Sequence, residues 1–302
     1  MKGAIRWLPL AMLLVLGALW GGNPAFSKAL GGLGISPFGV VFWQTGLACA
    51  ILLPVCLWRR QRIGFDRRSL AYYFFIGGIG IGLPYAALVL VVGHVTTGFV
   101  SVLVVLSPML TYVFAILVRL ERLNAMRAAG LVLGLVGVAI LVLPAGSLPA
   151  PDALPYALLA LIIPTGYAAA NVYAEWGRPE GASNEALACG TMGAAALIMA
   201  VLGFADGSFH PAWSQLDRSA VILLAYAVST VAAFLLFYAI IAVAGAVYLG
   251  QVGYLVTLSG IGWGMLLFDE RHGAGLWLAA LIVFVGVALV NFGKPRPVAE
   301  TA

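Results

Sequence analysis

The sequence predicts an all-α polytopic membrane protein with ten transmembrane helices, arranged as two inverted five-helix repeats. Three observations predict it: an extreme composition, ten apolar runs of membrane-spanning length, and an uneven distribution of basic residues. Of the 302 residues, 63% are hydrophobic and 9% are charged, whereas a soluble domain carries about 25% charged residues. A soluble core could not bury this much apolar surface, so we expect a protein of the lipid bilayer with no appended soluble domain.

Each predicted span contains about the 20 residues that one crossing needs. In chain order the ten spans are 7–28, 37–58, 70–92, 97–118, 128–144, 154–175, 185–205, 219–241, 245–267 and 275–293. A basic start before an apolar run is also typical of a signal peptide. Because residues 7–28 are long enough to span and lead directly into the next run, we expect a retained first helix.

The basic residues of this ten-span topology gather on one side of the membrane. Thirteen of the sixteen Lys and Arg residues fall there, and the other side receives Lys28, Arg218 and Arg271. The positive-inside rule therefore places both termini in the cytoplasm. The net charge of +5 is explained by these loops and does not indicate binding to nucleic acid.

The cysteines and histidines indicate no metal site. Cys49, Cys56 and Cys189 lie inside apolar runs without metal-ligand spacing, so we interpret them as small packing residues. We expect no metal, no cofactor and no catalytic residue.

The chain contains weak internal similarity at a constant offset. Glu121-Arg122 and Glu270-Arg271 are 149 residues apart, as are the segments "VGVAILV" (136–142) and "VGVALVN" (285–291), and Asn23 and Asn171 are 148 apart. These pairs predict a duplication, with a first repeat over 1–148 and a second over 149–302. Because five is odd, the second repeat enters the membrane from the opposite face, which is the inverted architecture of secondary transporters.

Longer segments carry a resemblance to a known family. The stretch "LWGGNPAFSKAL" of the first span, the run "LSPMLTYVFAILVRLER" (106–122) and the helix "GLVLGLVGVAILV" (130–142) with its echo at 281–291 resemble the drug/metabolite transporter superfamily, specifically its EamA-type exporters. The second half departs from the pattern, with "LVTLSGIGWG" (255–264) where the first half has "LSPML". The resemblance implies export of amino acids and related metabolites by alternating access through a central cavity.

The first span is interrupted in the middle by Gly21, Gly22 and Pro24. Pro24 cannot donate a hydrogen bond to the carbonyl of Trp20, and such a break persists only where protein or a water-filled cavity covers it. Trp20 and Asn23 lie on the same face of this helix, and we interpret that face as cavity lining. The alternative is a packed interface in which Asn bonds across and Gly permits close approach.

The other spans supply further polar and aromatic side chains for this cavity. Gln251 is the most polar side chain deep in the second half, so it should face a cavity or a partner. The predicted lining favours a substrate with an aromatic body and polar ends, such as an aromatic amino acid. The predicted substrate-binding residues are Trp20, Asn23, Tyr85, Ser101, Tyr167, Asn171, Phe234, Gln251 and Tyr254.

Four residues are candidates for a gate: Lys28, Glu175, Pro24 and Pro108. Lys28 and Glu175 lie at helix ends in near-equivalent positions of the two halves, where charged side chains commonly extend to the membrane surface. No charged residue falls near the centre of a span. This absence favours a facilitated exporter over proton-coupled antiport.

Three alternatives to an amino acid exporter stay open. An exporter of drugs, nucleosides or other metabolites is the nearest. A membrane-embedded enzyme is disfavoured because it would need a polar catalytic set, and a scaffold is disfavoured by the broken helices and the inverted duplication. We expect a protein of the prokaryotic inner membrane that functions as a monomer, with the lipid bilayer and a small-molecule substrate as its partners.

Overall fold

The structure, a computed structural model, describes residues 2–119, 122–142, 153–209, 218–249 and 252–292. These residues form helices and no strand. The helices are α1 (Lys2–Gly21), α2 (Asn23–Gly32), α3 (Pro37–Trp58), α4 (Arg67–Phe75), a π-helical segment (Ile76–Gly82), α5 (Leu83–Val91), α6 (Thr97–Val104), α7 (Ser107–Leu117), α8 (Ala125–Val142), α9 (Leu154–Leu159), α10 (Ile162–Trp176), α11 (Asn184–Ala205), α12 (Arg218–Leu249), α13 (Val252–Phe268) and α14 (Ala274–Phe292).

The helices reproduce the predicted order of apolar spans. In the described residues, seven helical stretches are long and apolar enough to cross a membrane, and three shorter apolar helices occupy the positions of the fifth, ninth and tenth predicted spans. The protein is therefore an all-helical polytopic membrane protein. We refer to spans one to ten by their predicted order.

The largest boundary error concerns spans eight and nine. We placed a break between residues 241 and 245, but α12 continues from Arg218 to Leu249 and α13 begins at Val252. The physical reason is the run "IIAVAGAVYL" (240–249), which contains no proline and several alanines, and alanine is the strongest helix former.

Three spans consist of two helical segments each. Span one changes from α1 to α2 at Gly22, and span four changes from α6 to α7 at Val105 and Leu106. Pro24 and Pro108 each lie at the second position of the new segment. There the missing N–H removes no intrahelical hydrogen bond, so proline begins these segments at little cost. Span six is likewise divided into α9 and α10.

The glycines of α1 allow α13 to approach its backbone. A Cβ at Gly17 would overlap Leu255, and one at Gly21 would overlap Ser259 and the backbone of α13. The close approach lets Ser259 Oγ donate to the Gly17 carbonyl at 2.7 Å, and Trp263 Nε1 donate to the Ala18 carbonyl at 3.0 Å. Gly17 and Gly21 thus permit close packing of α1 on α13, and two side chains of α13 donate hydrogen bonds to backbone carbonyls of α1.

The contacts between spans follow a regular pattern. Span two packs on span seven, span four on span nine, and span five on span ten. Span one packs on spans eight and nine, while span six packs on spans three and four. Each of these contacts has a counterpart when the two halves are exchanged.

The loops gather at two ends of the bundle, as the topology requires. At the arginine-rich end, Arg59 pairs with Glu185 at 3.0 Å and Arg68 pairs with Glu180 at 3.4 Å. The connections after α2, α5 and α13 meet at the opposite end. We call the first the arginine-rich end and the second the Lys28 end.

Candidate functional site

Five of the predicted cavity residues come together in the middle of the bundle, and we call them the central cluster: Trp20, Asn23, Tyr85, Tyr167 and Phe234. The ring of Trp20 lies edge-on to Phe234, with centroids 6.3 Å apart. Asn23 Nδ2 donates to the Tyr85 hydroxyl at 3.4 Å, and the rings of Tyr85 and Tyr167 meet edge-on at 6.3 Å. The cluster therefore joins side chains from spans one, three, six and eight, which belong to both halves of the chain.

Two hydroxyl groups extend this cluster along α2. Ser27 is fully buried one turn beyond Asn23. Tyr226 of α12 lies beside it, and its ring stacks on Phe26 at 4.8 Å. The hydroxyls of Ser27 and Tyr226 lie near each other, and neither makes a well-formed hydrogen bond to a third described residue. Both hydroxyls therefore retain hydrogen-bonding capacity for the polar end of a ligand.

A buried ion pair closes the Lys28 end of this region. Lys28 Nζ lies 2.6 Å from Glu270 Oε1 and 4.6 Å from the centre of the Phe268 ring. The carboxylate also accepts hydrogen bonds at the start of α6, from the backbone N–H groups of Thr97 and Gly98 and from Thr97 Oγ1 at 2.8 Å. Because the positive end of a helix favours an anion, α6 holds the carboxylate firmly.

Glu270 lies in the loop after α13 and is nevertheless buried, since its side chain is only 5% exposed. Burial alone would raise the pKa of the Glu270 carboxyl, but the hydrogen bonds from Lys28 and Thr97 and the charge of Lys28 hold it below its ordinary value.

The neighbouring His272 is also buried. It lies in the loop after α13, where its side chain is 2% exposed and its Nε2 lies 3.7 Å from Glu270 Oε2. Burial lowers the pKa of His272, and the charge of Glu270 acts in the opposite direction. The ring fills the space beside Gly98, where no Cβ would fit.

A cavity of about 640 Å³ opens above the ion pair, and we call it the vestibule. Lys28 and Phe268 form part of its lining, together with the ends of spans one, three and eight. Val89, Leu90 and Ile222 give much of its wall an apolar character, while His94 and Arg218 supply polar groups. The Lys28–Glu270 pair therefore lies between the vestibule and the central cluster.

Comparisons with known proteins agree with this architecture. Residues 7–143 match the sequence model of the EamA-like transporter family. Over these residues the chain is similar to membrane transporters of the drug/metabolite type. A likeness to a family of transporters fits the expectation that this chain is not an enzyme.

The comparisons extend beyond this match for the fold alone. A solved crystal structure shares the fold with a TM-score of 0.62 at 18% identity, over 94% of this chain and 97% of the other. A search among curated proteins found no match. The likeness to that structure therefore shows a shared fold over nearly the whole chain and nothing about the substrate.

Other predicted site residues make their described polar or ring contacts outside the central cluster. Ser101 lies where α6 meets α13: its hydroxyl donates to the Thr97 carbonyl at 2.8 Å and Thr257 donates to its carbonyl at 3.0 Å. Asn171 is exposed and donates to Thr111 at 3.3 Å. Tyr254 packs edge-on against Phe284, with ring centroids 5.3 Å apart.

Three residues singled out in the sequence cannot be placed. Gln251 and Glu121 lie outside the described residues, as does the side chain of Glu175. Of the candidate gate residues with described side chains, Lys28 alone forms a described ion pair, and Pro24 and Pro108 begin helical segments.

Gln44 of α3 is a buried polar residue that sequence reasoning missed. Its Nε2 donates to Thr230 Oγ1 of α12 at 2.9 Å, and its Oε1 has no hydrogen bond to a described residue. A glutamine inside a span is itself a signal, because an unpaired amide in lipid is costly. The described residues contain no cluster of His, Cys, Asp or Glu that would hold a metal ion.

Proposed function

We propose that this transporter exports small amphipathic metabolites, with amino acids, and among them aromatic ones, as the preferred class. Transport would proceed by alternating access between two inverted five-helix repeats, 1–148 and 149–302. The observation that carries the proposal is the central cluster. It combines aromatic rings with an amide and hydroxyl groups, which suits a ligand with an aromatic body and polar ends.

The surroundings of the central cluster favour the same ligand chemistry. Trp20, Phe234 and Phe237 form a group of rings, with Trp20 and Phe237 centroids 5.6 Å apart. Such rings favour edge-on contact with a further ring. The neighbouring hydroxyls of Ser27 and Tyr226 lie on the other side of Asn23, where they can bond an amino or carboxyl group.

The exchange pattern of helix contacts supports alternating access. Span one packs on spans eight and nine as span six packs on spans three and four. Two halves with equivalent contacts can adopt two arrangements of similar energy that open to opposite faces. The central cluster draws residues from both halves, so a relative movement of the halves would change its access.

The location of the ion pair gives the proposed cycle a direction. With the termini in the cytoplasm of a prokaryotic inner membrane, the vestibule faces outward and the Lys28–Glu270 pair closes the site from that side. The structure would then correspond to a state before release to the outside. A monomer contains all the groups that this cycle uses.

The test is flux in proteoliposomes loaded with radiolabelled aromatic, aliphatic and basic amino acids, with and without a pH gradient. We expect aromatic amino acids to be carried fastest. Flux without a gradient would support a facilitator, and flux only with a gradient would indicate proton coupling. No flux of any amino acid would contradict the proposed substrate class and direct the search to drugs and nucleosides.

A matched pair of variants connects the flux to the central cluster. Asn23→Leu should lower aromatic flux by about tenfold, because it removes one polar contact of the ligand and of Tyr85. Asn171→Leu, at the predicted equivalent position of the second half, alters an exposed residue that bonds Thr111 and no member of the cluster, and should change flux much less. Equal effects of the two variants at equal protein levels would contradict the placement of the site.

A further inference from the structure

The Lys28–Glu270 pair separates two spaces that a transported molecule has to connect. Lys28 lines the vestibule, and Ser27 and Asn23 lie below it on the same helix. At ~1.5 Å per residue, the five positions from Asn23 to Lys28 rise by about 7.5 Å. A small metabolite that leaves the central cluster toward the vestibule must therefore pass Lys28, and the ion pair must open to let it through.

The two partners of this pair are held very differently. Glu270 accepts hydrogen bonds from Thr97 and Gly98 in addition to the contact with Lys28. Lys28 contacts one carboxylate oxygen and one aromatic face among the described residues, those of Glu270 and Phe268. When the pair opens, α6 still compensates the charge of Glu270, while the ammonium of Lys28 loses its anion.

We propose that Lys28 then binds the carboxylate of the transported substrate, so that the substrate and Glu270 alternate as its anionic partner. The inference rests on the proposed export function and adds to it a chemical requirement: a carboxylate on the substrate. Opening the pair without a replacement anion would leave a partly buried ammonium uncompensated. A substrate carboxylate removes that cost, and an uncharged analogue does not.

The composition of the vestibule fits this exchange. Its described lining contains no Asp or Glu that would compete for Lys28. Arg218 adds a second positive charge at its exposed rim. Basic residues around a cavity raise the local concentration of anions.

The fixed position of Glu270 also explains release. The α6 N-terminus keeps the carboxylate of Glu270 next to Lys28 while the substrate passes. When the halves close again, this resident carboxylate displaces that of the substrate, which leaves into the vestibule. Glu270 thus competes with the substrate at one step and closes the path at the next.

The first test compares L-phenylalanine with L-phenylalaninamide, which replaces the carboxylate by an uncharged amide. In proteoliposomes, Lys28→Gln should lower phenylalanine flux by about tenfold or more and change phenylalaninamide flux little, because only the acid makes a charged contact. Lys28→Arg should retain much of the phenylalanine flux. Arg218→Gln removes one positive charge from the same vestibule and serves as the control, with a much smaller expected effect on both compounds.

The second test does not require transport. Ala29 lines the vestibule beside Lys28, and Ala29→Cys in a chain with Cys49, Cys56 and Cys189 replaced by alanine reports on occupancy through its reaction with N-ethylmaleimide. In the Glu270→Gln variant, where Lys28 is free, phenylalanine should slow the reaction and phenylalaninamide should not. Adding Lys28→Gln should abolish the protection.

The outcomes separate this inference from the proposed function. The inference would be overturned if Lys28→Gln changed phenylalanine and phenylalaninamide flux equally. It would also be overturned if protection against N-ethylmaleimide did not depend on Lys28. Either result would leave the export function in place. Carboxylate-specific protection without amino acid flux would overturn the proposed amino acids and support the carboxylate site. Absence of both flux and protection would overturn both.

Discussion

The ion pairs at the two ends of the bundle differ in exposure, although Glu185 at the arginine-rich end is itself only 23% exposed. At the arginine-rich end, the side chains of Arg68 and Glu180 are 56% and 93% exposed. At the Lys28 end, those of Lys28 and Glu270 are 28% and 5% exposed. Exposed pairs contribute about 0–1 kcal/mol, whereas breaking a buried pair leaves a desolvated charge.

This difference indicates different purposes for the two ends. The arginine-rich end places positive charge where the topology needs it, and its pairs are replaceable. At the Lys28 end, Lys28, Glu270 and Thr97 form one hydrogen-bonded group that joins span one, span four and the loop after span nine. A group of that kind fixes one arrangement of the helices and resists opening until a substitute for the broken contact arrives.

The largest expected effect comes from Glu270→Gln. Breaking a buried pair costs about 3–5 kcal/mol, and the partial exposure of Lys28 reduces the expected loss in the free energy of unfolding to about 2 kcal/mol. The measurement is the thermal unfolding midpoint of purified protein in detergent. Glu185→Gln removes a carboxylate from the arginine-rich end and should lower the midpoint far less.

A double variant checks the physical cause of that loss. Lys28→Gln combined with Glu270→Gln leaves no buried charge without a partner, so it should recover part of the stability that Glu270→Gln loses. If the double variant lost as much stability relative to wild type as the two single variants lose together, the ion pair would not account for the difference between the ends.

The second prediction uses pH. The folded-state pKa of Glu270 lies below its ordinary value of 4.5, so the folded state holds its proton less tightly than the unfolded state does. Its contribution to stability is then fully present above about pH 4.5 and is lost as the pH falls through the lowered pKa. The midpoints of wild type and Glu270→Gln should therefore converge below pH 4.5. A gap that stayed constant down to the lowest accessible pH would contradict the assignment.

Much of the fold could be predicted from the sequence, because hydropathy and charge act locally along the chain. Ten apolar runs predicted the order of the spans. The uneven distribution of basic residues predicted which loops share an end of the bundle. The boundary between spans eight and nine was predicted wrongly because the sequence between 241 and 245 contains no residue that ends a helix, and α12 continues through it.

The candidate site was only partly predictable, since it depends on which spans touch. Asn23 was conspicuous as an amide inside a span, but its contact with Tyr85 crosses 62 positions. Glu270 follows "LFD" in a charged turn, so its sequence reads as a surface loop, and only the packing of α6 against the end of α13 buries it. Gln44, like Gln251, is a polar residue within an apolar run. The sequence therefore already indicates that Gln44 needs a polar partner inside the bundle, and the structure supplies Thr230.

The smallest expected effect lies at the arginine-rich end. Arg59 pairs with Glu185 at 3.0 Å, but the arginine side chain is 55% exposed, so Arg59→Gln should change the free energy of unfolding by about 0.5 kcal/mol or less. Salt sharpens the comparison, because exposed charges are screened within about 10 Å at 0.1 M. Raising the salt concentration should erase the difference between wild type and Arg59→Gln and leave most of the effect of Glu270→Gln. A stability loss for Arg59→Gln that is large and insensitive to salt would mean that the arginine-rich end is held by its charges as the Lys28 end is, and the distinction between a replaceable end and a fixed one would fail.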